Sequence, residues 1–282
     1  MIVIREKDKL REIIRKVKGE KKIGFVPTMG YLHEGHLSLI RLARERCEFL
    51  VVSIYVNPTQ FGPEEDYQEY PRDLARDLEL LQREGVDLVF APDNLYNPDH
   101  STFVVEEELS QYLCGPFRPG HFRGVTTVVT KLFHLIEPDL AVFGAKDYQQ
   151  AKIIERMVRD LDFDVELLIG PTIREGDGLA MSSRNEYLNP EERKRAIVLY
   201  RSLIRARELI EGGEKDPEVI TDQMSKMIER EGGKIEYIEI VDPESLQPLK
   251  RIEGSALIAL AVRIGKTRLI DNLLYRGQNG NR

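Results

Sequence analysis

The chain has little of what marks a disulfide-stapled, metal-built or membrane-spanning protein. Only two cysteines, Cys47 and Cys114, occur in 282 residues. They form no Cys-x-x-Cys pair and have no metal-like spacing, which argues against a disulfide framework or a zinc site. Cys47 falls at an apolar helix position and Cys114 precedes Gly115. Both read as reduced thiols, so the expected compartment is the cytoplasm. No apolar run approaches the roughly 20 residues of a membrane span, and the N-terminus is too charged for a signal peptide. Internal repeats, low-complexity tracts and long linkers are missing. So is any excess of positive charge. The net charge is −7, and residues 172–282 carry equal numbers of basic and acidic side chains, so the acidic excess lies in residues 1–171. A nucleic-acid surface would be basic. No nucleic-acid partner is expected, and an anionic ligand must be held by a few placed groups rather than by the overall field.

Apolar residues make up 41% of the chain, enough to bury a substantial core, in a length that allows one large domain or two ordinary ones. Charged residues make up 32%, a level compatible with a thermophilic source. Leu10, Ile13, Ile14 and Val17 recur at helical spacing. A short apolar strand at Lys22–Val26 is stopped by Pro27, and a helix follows from near His36, with Leu37, Ile40, Ala43 and Cys47 on one side. Strands are then expected at Phe49–Val56, Val86–Phe90, Phe103–Val105, Leu140–Phe143 and Val165–Ile169. Helices are expected at Leu74–Glu84, Val125–Ile136 and Gln149–Leu161. Apolar strands alternating with helices predict an α/β fold, a Rossmann-like doubly wound parallel sheet, over residues 1–171. The rhythm changes near Pro171. Two helices, Pro190–Glu211 and Asp216–Glu231, precede strands at Ile235–Val241, Ala256–Val262 and Thr267–Ile270. Residues 172–282 therefore read as a second, smaller α+β domain.

Four segments carry chemistry, each placed at a strand end or in a loop. The first is Pro27-Thr28-Met29-Gly30-Tyr31-Leu32-His33-Glu34-Gly35-His36. A helix N-terminus beyond a parallel strand offers free N–H groups to phosphate, and the two imidazoles share a face of a helical turn. They would equally read as surface residues; a zinc-binding His-Glu-x-x-His spacing is absent, as is the Lys-Ser/Thr of a P-loop. The second is Gly144-Ala145-Lys146-Asp147-Tyr148-Gln149-Gln150. Lys146 would meet phosphate or be a solvated lysine. Asp147 would cap the helix, contact a ribose or help hold magnesium. The third, Gly178 to Asn185, sets Ser182, Ser183 and Arg184 side by side, a set suited to phosphate oxygens. Gly176 and Gly178 nearby suggest mobility. The fourth is Asn57-Pro58-Thr59-Gln60-Phe61-Gly62. Gln60 and Gln150 would orient a carboxylate by hydrogen bonds without neutralising it, although loop glutamines are commonplace.

Taken together, PTMGYLHEGH at 27–36, YVNPTQF at 55–61, RPGHFRGVTTVVTKLF at 118–133, FGAKDYQQ at 143–150 and MSSRN at 181–185 resemble the pantothenate synthetase (pantoate–β-alanine ligase) family over nearly the whole chain. The His-x-Gly-His piece alone is shared with other nucleotidyl transferases and some tRNA synthetases. The resemblance implies ATP-dependent condensation of (R)-pantoate with β-alanine through a pantoyl adenylate, giving pantothenate, AMP and pyrophosphate. It also implies magnesium and a homodimer. Carried over, His36 is the catalytic proton donor, His33 its phosphate-contacting partner and Lys146 a third catalytic group. ATP would be held by Pro27, Met29, Gly30, Tyr31, Leu32, His33, Glu34, Gly35, His36, Gly144, Ala145, Lys146, Asp147, Ile173 (through its backbone, to the adenine), Met181, Ser182, Ser183 and Arg184. Gln60 and Gln150 would hold pantoate, and Gln60 would also meet β-alanine. Ala145 departs from the acidic or polar residue common in the family. A lid at 174–185, hinged between the domains, would exclude water from the mixed anhydride. The competing readings are another nucleotidyl transferase, which leaves Gln60 and Gln150 unexplained, and a nucleotide-binding protein without catalysis.

Overall fold

The computed structural model describes residues 1–277, so residues 278–282 of the expected second domain lie outside the described residues. The chain divides into two compact units. The first comprises residues 1–107, 118–145 and 150–173, and the second comprises 108–117, 146–149 and, of the described residues, 174–277.

The first unit is built on six parallel strands: β1 (Ile2–Ile4), β2 (Ile23–Thr28), β3 (Phe49–Ile54), β4 (Leu88–Phe90), β5 (Leu140–Gly144) and β6 (Glu166–Gly170). Their order across the sheet is β1-β4-β3-β2-β5-β6. Five helices connect them: α1 (Lys7–Val17), α2 (Glu34–Arg44), α3 (Leu74–Arg83), α4 (His121–Ile136) and α5 (Tyr148–Asp160). Side chains alternate across the pleat. Phe25 and Val51 therefore enter one core, with Leu10 and Ile14 of α1 and Val129 and Ile136 of α4. Val26, Leu50 and Val52 enter the other, with Leu37 and Ile40 of α2 and Leu81 of α3. Strands buried on both faces read as unbroken apolar runs, which is how β2 to β5 were recognisable.

Several boundaries differ from the sequence reading. β2 passes through Pro27 and ends at Thr28. The Thr28 carbonyl accepts from the Tyr55 N–H at 3.0 Å, on the β3 side. Pro27, one residue earlier, faces β5, whose pairing with β2 ends at Phe25. The missing N–H therefore breaks no ladder bond. Cys47 lies beyond the end of α2, in the turn before β3, rather than on the helix face. Phe103–Val105 forms no strand. Side chains of α4 take the place of a neighbouring strand: Thr127 Oγ1 accepts from the Val104 N–H at 3.0 Å, and Thr126 Oγ1 donates to the Val104 carbonyl at 2.7 Å. β1 was not anticipated; three residues at a sheet edge carry little periodic signal.

In the second unit, α6 (Pro190–Ala196), α7 (Val198–Glu211) and α8 (Pro217–Arg230) accompany an antiparallel sheet, β7 (Lys234–Val241), β8 (Ala256–Ile264) and β9 (Thr267–Tyr275). Leu199 and Leu203 of α7 and Met224 and Ile228 of α8 pack on Ile258, Leu260 and Val262 of β8. The single helix expected over Pro190–Glu211 is interrupted at Ile197, and β9 runs five residues past the expected Ile270.

The Thr127 contact makes a testable claim. Thr127→Val keeps the side-chain shape but strands the Val104 N–H, at an expected cost of about 1–3 kcal/mol. A urea midpoint equal to wild type would contradict the role given to this hydroxyl.

Candidate active site

The winding of the parallel sheet reverses at β2, which has β3 on one side and β5 on the other. In an open α/β sheet, ligands bind beyond the carboxyl ends of the strands at such a reversal. Here those ends are Thr28 and Gly144. The two segments singled out first in the sequence, from Met29 to His36 and from Ala145 to Gln150, leave from these two strand ends.

Beyond β2 the chain makes a tight turn before α2. Thr28 Oγ1 donates to the Ser53 carbonyl at 2.8 Å and accepts from the Gly30 N–H at 3.1 Å. Gly30 and Tyr31 both have positive φ, 82° and 50°. Asp77, on α3, accepts from the Tyr31 and Leu32 N–H groups, each at 2.7 Å. It is almost wholly buried, and burial pushes its carboxyl above the usual carboxylate range despite those two N–H groups. α2 then begins with a pair of histidines in reciprocal capping roles. His33 Nδ1 accepts from the Gly35 N–H at 3.1 Å, and His36 Nδ1 accepts from the His33 N–H at 3.3 Å. The rings lie 4.1 Å apart, tilted by 38°. Because each Nδ1 is an acceptor, the neutral rings carry their protons on Nε2. Two ring donors, oriented by these caps, thus stand at the positive end of a helix dipole at one strand terminus, a combination suited to phosphate. Glu34, in the first turn, is taken up by Arg41, which also binds Glu84 at 2.6 Å.

Beyond β3, a turn of 3₁₀ helix at Pro58–Gln60 buries Gln60. Gln60 Oε1 accepts from Asn57 Nδ2 at 3.1 Å, while Gln60 Nε2 rests on the Met29 thioether at 3.1 Å. A thioether is a weak acceptor. The backbone of Gln60 is held by α4 and the segment before it. Its carbonyl lies 2.9 Å from His121 Nδ1 and accepts more distantly from Arg118, at 3.5 Å. Arg118 is fixed by a double hydrogen bond to Glu65, at 2.6 and 2.8 Å. Burial pushes the Glu65 carboxyl up, but Arg118 outweighs it and holds the group below its ordinary range. Gly124 closes the contact, since a Cβ there would sit 2.4 Å from the Thr59 carbonyl and 2.6 Å from Gln60 Cα. Gln150 lies half-buried at the start of α5, and Ile173 is the last residue of the first unit, after β6.

The second unit carries the remaining candidates. Lys146 and Asp147 lie in the 3₁₀ turn before α5, with Lys146 Nζ 3.8 Å from the Asp147 carboxylate and the Lys146 carbonyl accepting from Asn272 at 2.8 Å. Gln149, beside the predicted Gln150, is buried and structural: it bonds the Leu109 and Tyr112 carbonyls and the Cys114 N–H. Met181, Ser182, Ser183 and Arg184 enter a short 3₁₀ helix whose first N–H groups are capped by Ser182. The 174–185 segment is not the loose loop that its glycines suggested. Arg174 binds Asp271 through two hydrogen bonds, at 2.6 and 2.9 Å. Arg193 holds both Glu175 and Asp177. Gly178, at φ 101°, lies against the Tyr200 ring, where a side chain would not fit.

A doubly wound sheet whose reversal is marked by a histidine-capped helix on one strand and a lysine turn on the next defines a nucleotide-handling α/β enzyme. Comparison with known proteins narrows the class. The family model for pantoate-beta-alanine ligase matches residues 2–274. A pantothenate synthetase of Thermosipho melanesiensis is 58% identical over 98% of this chain and 100% of its own. One from Thermoanaerobacter pseudethanolicus is 53% identical over 99% and 100%. Among solved structures, a pantothenate synthetase of Thermus thermophilus superposes with a TM-score of 0.89, at 47% identity over 97% of this chain and 99% of that one. A pantoate-beta-alanine ligase of Francisella tularensis, complexed with beta-gamma ATP and beta-alanine, gives 0.83 at 35% identity over 97% of each. The chain belongs to the pantoate–β-alanine ligase family. Its activity is the ATP-dependent joining of pantoate to β-alanine by an amide bond.

Sequence reasoning missed Asp77 and Glu65, and gave no individual role to Asn57, Arg118 or His121, although all three lie in the segments it singled out. Asp77 has no local signal, because it lies on an ordinary amphipathic helix. Gly124 gives the sharpest test of the Gln60 site. Everything a Cβ would meet there is backbone, so Gly124→Ala must move the Gln60 turn. A shift of about 1 Å at such a site lowers rates by about 10²-fold. A folded variant with the wild-type ligation rate would contradict this packing.

Proposed function

We propose that the residues beyond β2, β3 and β5, with Ser182, Ser183 and Arg184, carry out the ligation in two displacements. In the first, a pantoate carboxylate oxygen attacks the α-phosphorus of ATP. The new P–O bond forms as the bond to the bridging oxygen of pyrophosphate breaks, giving pantoyl adenylate. In the second, the β-alanine amine attacks the acyl carbon. The C–O bond to AMP breaks and the nitrogen loses a proton.

The observation that carries this reading is the paired Nδ1 capping of His33 and His36, which leaves each neutral ring with its proton on Nε2. Such donors stabilise charge on phosphate oxygens without reorganising. The Met29–His36 segment and Gly144–Ala145, with Ile173 through its backbone, are assigned to ATP. Lys146 supplies a point charge to its phosphates, and Asp147 a ribose or metal contact. Met181, Ser182, Ser183 and Arg184 add hydroxyl and guanidinium donors. Gln60 and Gln150 are assigned to pantoate, and Gln60 also to β-alanine. The resting partner of Gln60 Nε2 is only a thioether, so a carboxylate oxygen would replace it at a gain. Neutral amides leave the attacking oxygen its negative charge.

Magnesium fits as a companion of ATP rather than as a resident of a protein cage. No cluster of three His, Cys, Asp or Glu suited to a metal occurs among the described residues. Mg²⁺ is commonly held by substrate phosphates and one or two carboxylates, and Asp147 is the carboxylate nearest in sequence to Lys146. When bound, the ion would neutralise phosphate charge. A cytoplasmic location and a homodimer complete the reading. The first accords with two free thiols, and the second rests on the family resemblance.

His36→Ala and Lys146→Ala are each expected to lower turnover about 10²-fold or more, as loss of one transition-state donor does. Near-normal rates in folded variants would remove these assignments. Gln60→Ala should chiefly raise the KM for pantoate; a defect confined to ATP would contradict its role.

A further inference from the structure

We infer that Asp77 is a positioning residue for the nucleotide loop, its carboxylate fixing the Gly30–Leu32 turn in the left-handed conformation from which the histidine-capped helix begins. This rests on the assignment of the Met29–His36 segment to ATP.

The turn is unfavourable by its own chemistry. Gly30 adopts φ 82° freely, but Tyr31 at φ 50° places a Cβ-bearing aromatic residue in a region that such residues avoid. The turn also aims two successive N–H groups, those of Tyr31 and Leu32, in one direction. Asp77 meets them with separate oxygens, Oδ2 and Oδ1, both at 2.7 Å. A carboxylate is the one side chain that presents two acceptors at that spacing and no donor. Its neighbour Arg76 lies over the Tyr31 ring, 5.1 Å from the centroid. Gly30 is fitted to the same carboxylate, since a Cβ would lie 3.0 Å from Asp77 Oδ2 and 2.9 Å from Ile54 Cγ2.

Apolar packing anchors the end of the turn, where Leu32 is fully buried beside Leu81 of α3 in one core cluster. A cavity of about 260 Å³ adjoins the turn, with Gly30, Tyr31, Ile54, Arg72 and Asp77 in its wall. With that space against Gly30 and Tyr31, directional bonds to a side chain 1% exposed fix the start of the turn. α3 thereby sets the start of α2, and with it the orientation of His33 and His36.

Asp77→Asn keeps the shape and replaces one acceptor by a donor that faces an N–H. Measured by calorimetry with ATP and magnesium, affinity for ATP is expected to fall about tenfold or more, as loss of a charged acceptor implies. Asp73→Ala removes the α3 cap, which accepts from the Arg76 N–H at 3.1 Å, and should lower the melting temperature with ATP affinity unchanged. In the wild-type protein, which needs no substitution to fold, the Tyr31 and Leu32 amide protons should exchange slowly. Unprotected amides would overturn the proposal, as would a folded Asp77→Asn variant with wild-type affinity. If Asp77→Asn has no effect while His36→Ala still lowers turnover, the positioning role fails and the assignment of the loop stands. If neither variant affects ATP, the assignment fails as well.

Discussion

The constraint on which the first unit depends is the reversal of winding at β2. A parallel sheet leaves the N–H ends of its following helices and the carboxyl ends of its strands on one edge. Where the winding reverses, neighbouring connections diverge and leave that edge open. β2 and β5 are the two strands that flank this opening, and both lead into segments rich in donors. The acidic excess of residues 1–171 makes the local nature of this chemistry clear. In the proposed reading an anion is met there by imidazoles oriented at a helix start, since the overall charge has the wrong sign.

What distinguishes the site from a generic phosphate loop is how little of it is left to side-chain freedom. Each histidine ring is tied by Nδ1 to backbone, so its orientation and tautomer follow from the helix start. Gln60 is tied at its side-chain oxygen by Asn57 and at its carbonyl by His121. One amide N–H remains on a weak acceptor, and that is the group assigned to the attacking acid. In the second unit, the segment bearing Ser182 to Arg184 is tied down by Arg174–Asp271 and by Arg193. Pre-set geometry of this kind suits a reaction in which the protein forms no covalent bond and catalysis rests on orientation and electrostatics.

Much of this was legible in the sequence, for identifiable reasons. Buried parallel strands write continuous apolar runs, and α1, α3 and α5 write a helical period, so the α/β reading followed directly. The chemistry-bearing segments stood out because histidine, lysine and glycine cluster at strand ends. What was hidden depends on contacts distant in sequence. Pro27 signals a strand end, yet its missing N–H faces an edge where pairing has already stopped. Phe103–Val105 has the composition of a strand, but threonines of α4 bond its backbone instead. The glycines near 178 suggest a loose loop, whereas Gly178 is there to let the chain pass against Tyr200. Asp77 has no local mark at all, because its role exists only once α3 meets the turn after β2.

The central claim is that pantoate attacks ATP before the amine takes part. Pyrophosphate release measured with ATP and magnesium, with and without pantoate and with β-alanine omitted, tests it most directly. Release is expected to require pantoate and to leave an adenylate on the enzyme, followed by AMP and pantothenate when β-alanine is added. Release that requires β-alanine, or that proceeds equally without pantoate, would contradict it.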